Sequence, residues 1–186
     1  MAMITSSIQG FTRFFHLESW FRLLLLCILT GVVSGLGALA FDSLLEIVSK
    51  TVLFDWLFHV NKSGYLLLVV VPAFGALCGG LLARWLAPEA SGHGTDAVID
   101  SFHTAKGYIR ARIPLVKGVC SVLTIGSGGS AGKEGPIAQI GAGFGSMVGT
   151  LLRLPVHDRR ILMLAGAAGG IGAIFKAPLA GVETFI

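Results

Sequence analysis

Charged residues are scarce in this chain. Only 13% of its 186 residues are Asp, Glu, Lys or Arg, while 54% are hydrophobic and the mean hydropathy is +0.81. An average soluble domain has about 25% charged residues, so this composition excludes a disordered chain and argues strongly against a soluble enzyme. Glycine is abundant instead, with 26 residues. Small residues in an apolar background are typical of closely packed membrane helices, and the sequence therefore predicts an all-α, polytopic membrane protein.

Paired cysteines and basic runs are also missing. Cys27, Cys78 and Cys120 lie in apolar stretches, without a second cysteine or a histidine at the spacing of metal ligands. We therefore expect three free thiols, no metal site and no cofactor. The net charge of +4 comes from scattered cations without interleaved aromatic residues, so no nucleic acid is expected as a partner.

Two segments without charged residues, 23–41 and 63–83, are long enough to cross a bilayer, which takes about 20 apolar residues. A signal peptide is the alternative for the first, because a small-residue sequence in it mimics a cleavage site. The preceding region contains Glu18, however, and more apolar segments follow, so a membrane span is favoured. We expect residues 1–22 to form a cytoplasmic N-terminal arm and residues 23–186 a transmembrane domain.

Beyond Lys117 the uncharged segments are shorter, and glycine or proline interrupts them. They are 118–132, 135–152 and 161–175. Helices that stop part-way through a membrane line cavities in transport proteins, so this pattern indicates a transport pathway. Residues 181–186 lie in an apolar run with no polar end, and we expect a helix that is truncated there.

The placement of Lys and Arg predicts the orientation in the membrane. Arg13 and Arg22 lie in the N-terminal arm, and five cations lie in the segment 84–117. The segment 42–62 has two lysines against three acidic residues. Because short cytoplasmic loops carry the excess of cations, the arm and 84–117 are expected in the cytoplasm and 42–62 outside.

The glycine-rich segment 126–136 admits three interpretations. A Walker A loop fails, because Ser127 replaces a required glycine and Glu134 replaces the Mg²⁺-binding hydroxyl. A dinucleotide-binding fingerprint fails as well, because 135–152 contains no acidic residue for the ribose. The third is a helix that begins near Pro136, a residue suited to a first helical turn.

A helix N-terminus binds anions through its unpaired N–H groups and the positive end of its dipole. Glu134 lies where such an anion would lie, and an ionisable residue at membrane depth is a functional candidate. Its carboxylate can occupy the anion site when charged and leave it when protonated. The alternative is a Glu134–Lys133 ion pair at a loop surface, with ordinary helix capping.

Three sequence motifs resemble the CLC family of chloride channels and proton-coupled chloride exchangers. Gly132-Lys-Glu-Gly-Pro136 is similar to the family's GK/REGP motif. The run Gly170-Ile-Gly-Ala-Ile-Phe-Lys-Ala-Pro-Leu-Ala-Gly181 resembles its Ala-Phe-x-Ala-Pro-Leu segment. Gly92-His-Gly-Thr-Asp96 falls where the family carries its GSGIP motif, and the likeness extends from about residue 23 to the last residue.

The resemblance implies that Glu134 is the gating glutamate. It also implies an anion-binding setting for Gly132, Lys133, Gly135, Pro136 and His93. His93 occupies the position of the family's anion-coordinating serine and Asp96 that of its proline, whereas a shifted register would place Ser91 there instead. The alternative for His93 is a loop-capping histidine near Asp96.

The fold implied is the first of two inverted repeats with broken, tilted helices; Glu183 does not align with the exchangers' internal glutamate. The function implied is transport of chloride or similar small anions, as a channel or an exchanger of anions and protons. The resemblance further implies a homodimer in a bilayer, in a bacterial-type inner membrane. Two other hypotheses are a membrane-embedded enzyme that uses Glu134 and His93 as acid and base, and a secondary transporter of another solute.

Overall fold

The computed structural model describes residues 19–52 and 65–177, and within these ranges the regular structure is entirely helical. This confirms the all-α class. Six α-helices and one turn of 3₁₀ helix follow one another: α1 (Ser19–Ser49), α2 (Tyr65–Leu86), the 3₁₀ turn (Pro88–Ala90), α3 (Gly94–His103), α4 (Arg112–Gly126), α5 (Glu134–Leu151) and α6 (Val156–Phe175).

Helix lengths separate two classes of element. Two helices, Trp20–Val52 and Leu67–Leu86, are long and apolar enough to cross a membrane, and only 22% and 17% of their most apolar windows are buried. At 1.5 Å per residue, α3 and α4 are roughly 15 and 22 Å long, shorter than the ~30 Å hydrocarbon core. The interruptions predicted after Lys117 are present, since one helix ends at Gly126 and the next begins at Glu134, but α6 has 20 residues and is roughly 30 Å long.

Helix α5 lies at the centre of the bundle, where it packs against α1, α3, α4 and α6. Its contact with α6 depends on glycine. A Cβ atom on Gly141 would overlap the carbonyl of Gly166, and one on Gly145 would overlap the carbonyl of Leu162. These two pairs show that α5 and α6 are antiparallel, with backbones too close for any larger side chain.

The helix directions sort the charged side chains to two ends of the bundle. Gly31 lies against Gly169, and Gly35 against Ala173, so α1 and α6 are parallel and start at the same end. That end carries most cations: Arg84, Lys106, Arg110, Arg112, Arg153, Arg159 and Arg160. Among the described residues, the opposite end has three acidic and three basic ones: Asp42, Glu46, Lys50, Lys133, Glu134 and Lys176.

Three expected boundaries differ from the structure. Helix α1 begins at Ser19, inside the expected arm, and continues to Ser49, so the first part of the expected outer loop 42–62 is helical. Lys117, expected at the end of a cytoplasmic loop, is buried within α4. Two of the charged residues within these helices have polar partners: Asp42 pairs with Lys133, and Lys117 donates to two backbone carbonyls. The rest of the arm and residues 53–62 lie outside the described residues.

The first prediction concerns orientation. In a variant lacking the three native cysteines, Arg112→Cys should react with a membrane-impermeant thiol reagent only after the cells are permeabilised, because the cation-rich end is expected in the cytoplasm. Lys50→Cys, at the opposite end, should react in intact cells. Labelling of Arg112→Cys in intact cells would reverse the orientation.

The second prediction concerns the contact between α5 and α6. Gly145→Ala should destabilise the protein by about 1–3 kcal/mol, the usual cost of overpacking, because the added methyl group meets the Leu162 carbonyl. Gly80→Ala is the matched control, since nothing lies within 4 Å of its added Cβ. Thermal unfolding in detergent measures both, and an equal midpoint for the two variants would contradict the steric argument.

Candidate anion site at two helix N-termini

The N-termini of α3 and α5 meet side by side. A Cβ atom on Gly94 would overlap the carbonyl of Gly135, and one on Gly135 would lie 3.1 Å from the Gly94 nitrogen. The first N–H groups of each helix have no acceptor within their own helix, and Pro136 has no N–H to donate. The positive ends of two helix dipoles therefore converge on one region, which favours an anion there.

Local sequence explains why α3 begins at this position. The 3₁₀ turn ends at Ala90, and Gly92 follows with a φ of +76°, a conformation that glycine adopts without strain. His93 is then extended and forms the N-cap of α3. After this turn the chain lies against the backbone of Gly135, where only a residue without a side chain fits.

A cavity of about 510 Å³ opens onto this junction. Helix α2 contributes only small side chains to it, and α4 contributes mostly polar ones. The lining includes Gly79, Gly80 and Ala83 of α2, Ser91–Gly94, Lys117, Cys120, Ser121 and Thr124 of α4, and Gly132 and Pro136.

Lys117 supplies a full positive charge to the cavity wall. It is only 5% exposed, and its ammonium group donates hydrogen bonds to the carbonyls of Ala90 at 3.0 Å and Gly92 at 2.7 Å. No acidic side chain of the described residues lies within ion-pair distance of it. A buried charge without a counter-ion is costly, and an anion in the cavity would compensate it.

Gln139 of α5 holds the same turn from the other side. It is 2% exposed, and its side-chain nitrogen donates to the carbonyl of Glu89 at 3.0 Å. Three carbonyl oxygens of the turn, those of Glu89, Ala90 and Gly92, are thus bound by donors on α4 and α5. These carbonyl oxygens are therefore hydrogen-bonded to side chains, whereas the N–H groups at the start of α3 remain available to bind an anion.

Glu134 lies at the rim of the cavity and does not line it. Its side chain is exposed, and its carboxylate folds back over Gly132, where an added Cβ atom would overlap it. Within the described residues it forms no ion pair. Lys133 pairs with Asp42 of α1 at 2.6 Å, so the alternative of a Lys133–Glu134 ion pair is wrong in this structure.

The structure brings four of the six predicted site residues to the junction. His93, Gly132 and Pro136 line the cavity, and Gly135 lies against the His93 ring, while Lys133 and Glu134 lie outside the lining. The His93 ring nitrogen Nδ1 is 2.6 Å from the Thr95 hydroxyl, and no bond joins it to Asp96.

Ser91 and His93, the two alternatives for the anion-coordinating position, both line the cavity. The hydroxyl of Ser91 donates to the carbonyl of Pro88, so its hydrogen is already engaged. His93 is the residue at the N-cap of α3. Residues 178–181 of the second motif and Glu183 lie outside the described residues.

Sequence reasoning missed Lys117, Gln139 and Asp42 as parts of this region. A signal was present for Lys117, a single charge between apolar neighbours in a segment that opens a helix. Gln139 carried a weaker signal, a polar residue among apolar neighbours in a helix, and Asp42 carried none. Their partners are 50 and 91 positions away in the chain, and only the folded structure brings them together.

The profile of the voltage gated chloride channel family matches residues 74–185. The chain is 35% identical, over 166 residues, to the H(+)/Cl(-) exchange transporter ClcA of Vibrio cholerae, covering 87% of this chain and 35% of that protein. For the transporter of the same name from Cronobacter sakazakii the identity is 34% over 163 residues, with 86% and 35% covered.

Two solved structures share the fold. A slow cyanobacterial Cl⁻/H⁺ antiporter superposes with a TM-score of 0.68 at 28% identity, over 86% of this chain and 38% of that one. A CLC-type fluoride/proton antiporter superposes with a TM-score of 0.72 at 25% identity, over 89% and 40%. The chain thus spans about a third of the length of the curated relatives it matches.

The third prediction concerns Lys117. Lys117→Met should weaken the binding of a small anion, with chloride as the probe, at least about tenfold, because a charged hydrogen-bonding group contributes roughly 1.5–3 kcal/mol and a tenfold change in affinity is 1.4 kcal/mol. Lys117→Arg should retain most of the affinity. Isothermal titration calorimetry of the purified protein measures both, with Lys50→Met as the control for an exposed lysine. Unchanged binding in a folded Lys117→Met protein would show that Lys117 does not contribute to anion binding.

Proposed function

This chain belongs to the voltage-gated chloride channel family, and on that premise we propose that the protein moves chloride or a similar small anion across a membrane, with Glu134 as a protonatable gate. One observation carries the proposal. The buried Lys117 ammonium has no acidic partner among the described residues, and it faces a cavity onto which the N-termini of α3 and α5 open. An anion is the species that these charges together would bind.

The site combines strong and weak attractions in a way that suits passage. Partial charges at two helix N-termini and one ammonium group, already bonded to two carbonyls, replace part of the water shell of the anion. A tighter cage of full charges would hold the anion too long for transport. We propose that His93, Gly132, Gly135 and Pro136 form this wall. The facing wall would come from the second repeat that the resemblance implies.

Glu134 fits the role of a gate because its carboxylate competes for the same N–H groups. When ionised it can swing from its place over Gly132 to the start of α5 and occupy the anion position. When protonated it binds those donors poorly and stays at the rim. The exposed position over Gly132 supports a side chain that is free to move between the two.

The coupling to protons, the assembly and the location are further parts of the proposal. Names of relatives specify exchange of chloride and protons, so we propose protons as the second substrate. We also propose a homodimer in a bacterial-type inner membrane. The transport names of the relatives argue against an enzyme. Competition by other solutes during chloride efflux tests the hypothesis of a different substrate.

The fourth prediction concerns the gate. In proteoliposomes, Glu134→Gln should keep or raise chloride efflux, remove its dependence on pH between mildly acidic and neutral conditions, and abolish coupled proton movement. A neutral amide cannot alternate between charged and uncharged forms. A chloride electrode and a pH electrode record the two fluxes.

Glu46→Gln is the matched control, because Glu46 is an exposed carboxylate at the same end of the bundle. It should behave as wild type. Loss of all flux in a folded, dimeric Glu134→Gln protein would reject the gate in favour of a structural carboxylate. A wild-type pH profile in the Glu134→Gln protein would indicate that Glu134 is an ordinary helix-capping residue.

A further inference from the structure

A single ion pair links the start of α5 to α1 beside the proposed gate. The Lys133 ammonium lies 2.6 Å from the Asp42 carboxylate, and the two side chains are 37% and 38% exposed. Lys133 is the N-cap residue of α5 and Glu134 is the next residue in the chain. The cation nearest in sequence to the gating carboxylate is therefore bound to a different carboxylate.

The Asp42–Lys133 pair thus lies at the start of α5, one residue along the chain from Glu134. The other charged residues that the structure describes at this end are Glu46, Lys50 and Lys176. Glu46 and Lys50 pair with each other at 2.7 Å, and Lys176 follows the end of α6. Helices α4 and α5 bring no further charged side chain to this end within the described residues.

We propose that Asp42 is a positioning residue for the gate: by binding Lys133 it keeps that ammonium away from Glu134 and so sets the pH at which the gate opens. This inference rests on the proposed gating role of Glu134. It also changes the expected role of Lys133. Because Asp42 neutralises its charge, Lys133 acts on the gate more than on the permeant anion.

The two partners should act on the gate in opposite directions. Without the Asp42 charge, Lys133 is free to pair with Glu134 and stabilise its ionised form, so a lower pH is needed to protonate it. Without the Lys133 charge, Asp42 is an uncompensated negative neighbour that disfavours ionisation of Glu134, so protonation occurs at higher pH. A change that merely loosened the packing of α1 and α5 would not shift the pH of Glu134 protonation in opposite directions for the two variants.

The fifth prediction is a double-mutant cycle on the midpoint of the pH profile of chloride efflux from proteoliposomes. Asp42→Asn should move the midpoint to lower pH and Lys133→Met to higher pH. Each shift should be about half a pH unit or more, less than for a buried pair because both groups are partly hydrated. The double variant should return close to the wild-type midpoint, and Glu46→Gln should not move it.

Shifts of the two single variants in the same direction, or no shift in either, would overturn the inference. Asp42→Glu and Lys133→Arg keep the charges and should restore near-wild-type midpoints, so the inference remains testable if a neutral variant does not fold. Glu134→Gln in the same series separates the two proposals. If it keeps a wild-type pH profile, the gate itself fails; if it loses pH dependence while the midpoints of the other variants stay fixed, only the role of Asp42 fails.

Discussion

The contact between Gly94 and Gly135 is the constraint on which the rest of the candidate site depends. It brings the first turns of α3 and α5 within backbone contact, closer than any side chain would allow. Neither helix alone would bind an anion strongly, because a single helix end presents only partial charges. Their juxtaposition puts two such ends on one cavity, and the placement of His93 and Pro136 on that cavity follows from it.

Hydrogen bonds from side chains of α4 and α5 keep the geometry of this junction. Lys117 and Gln139 bind the carbonyls of the turn that precedes α3. Ser146 does the same for the segment after α3, accepting from the Ile109 N–H at 2.8 Å and donating to the Gly107 carbonyl at 2.7 Å. Both ends of this short helix are thereby fastened to α4 and α5. An isolated helix of ten residues is only marginally stable, so such bonds add to its stability.

Sequence reasoning was most successful where a property is local or compositional. The all-α class followed from composition, and the interrupted helices after Lys117 from the spacing of glycine and proline. The glycine-rich motif around Glu134 led to the correct helix start. It could not supply the partner of Lys133, because Asp42 is on a different helix, nor the burial of Lys117, which depends on where α4 begins. These properties arise from tertiary packing, which the periodicity of one segment does not encode.

The parallel pairing of α1 with α6 has a consequence for biosynthesis. Ser34 of α1 donates a buried hydrogen bond to the Gly141 carbonyl, 107 positions later in the chain, and the glycines of α1 pack on α6, later still. Helix α1 therefore leaves the ribosome long before its permanent neighbours exist. Until they arrive, the polar and small residues on its inner face must be sheltered by lipid or by the insertion machinery. The order of synthesis thus places a demand on α1, because α6, against which it packs, is made later.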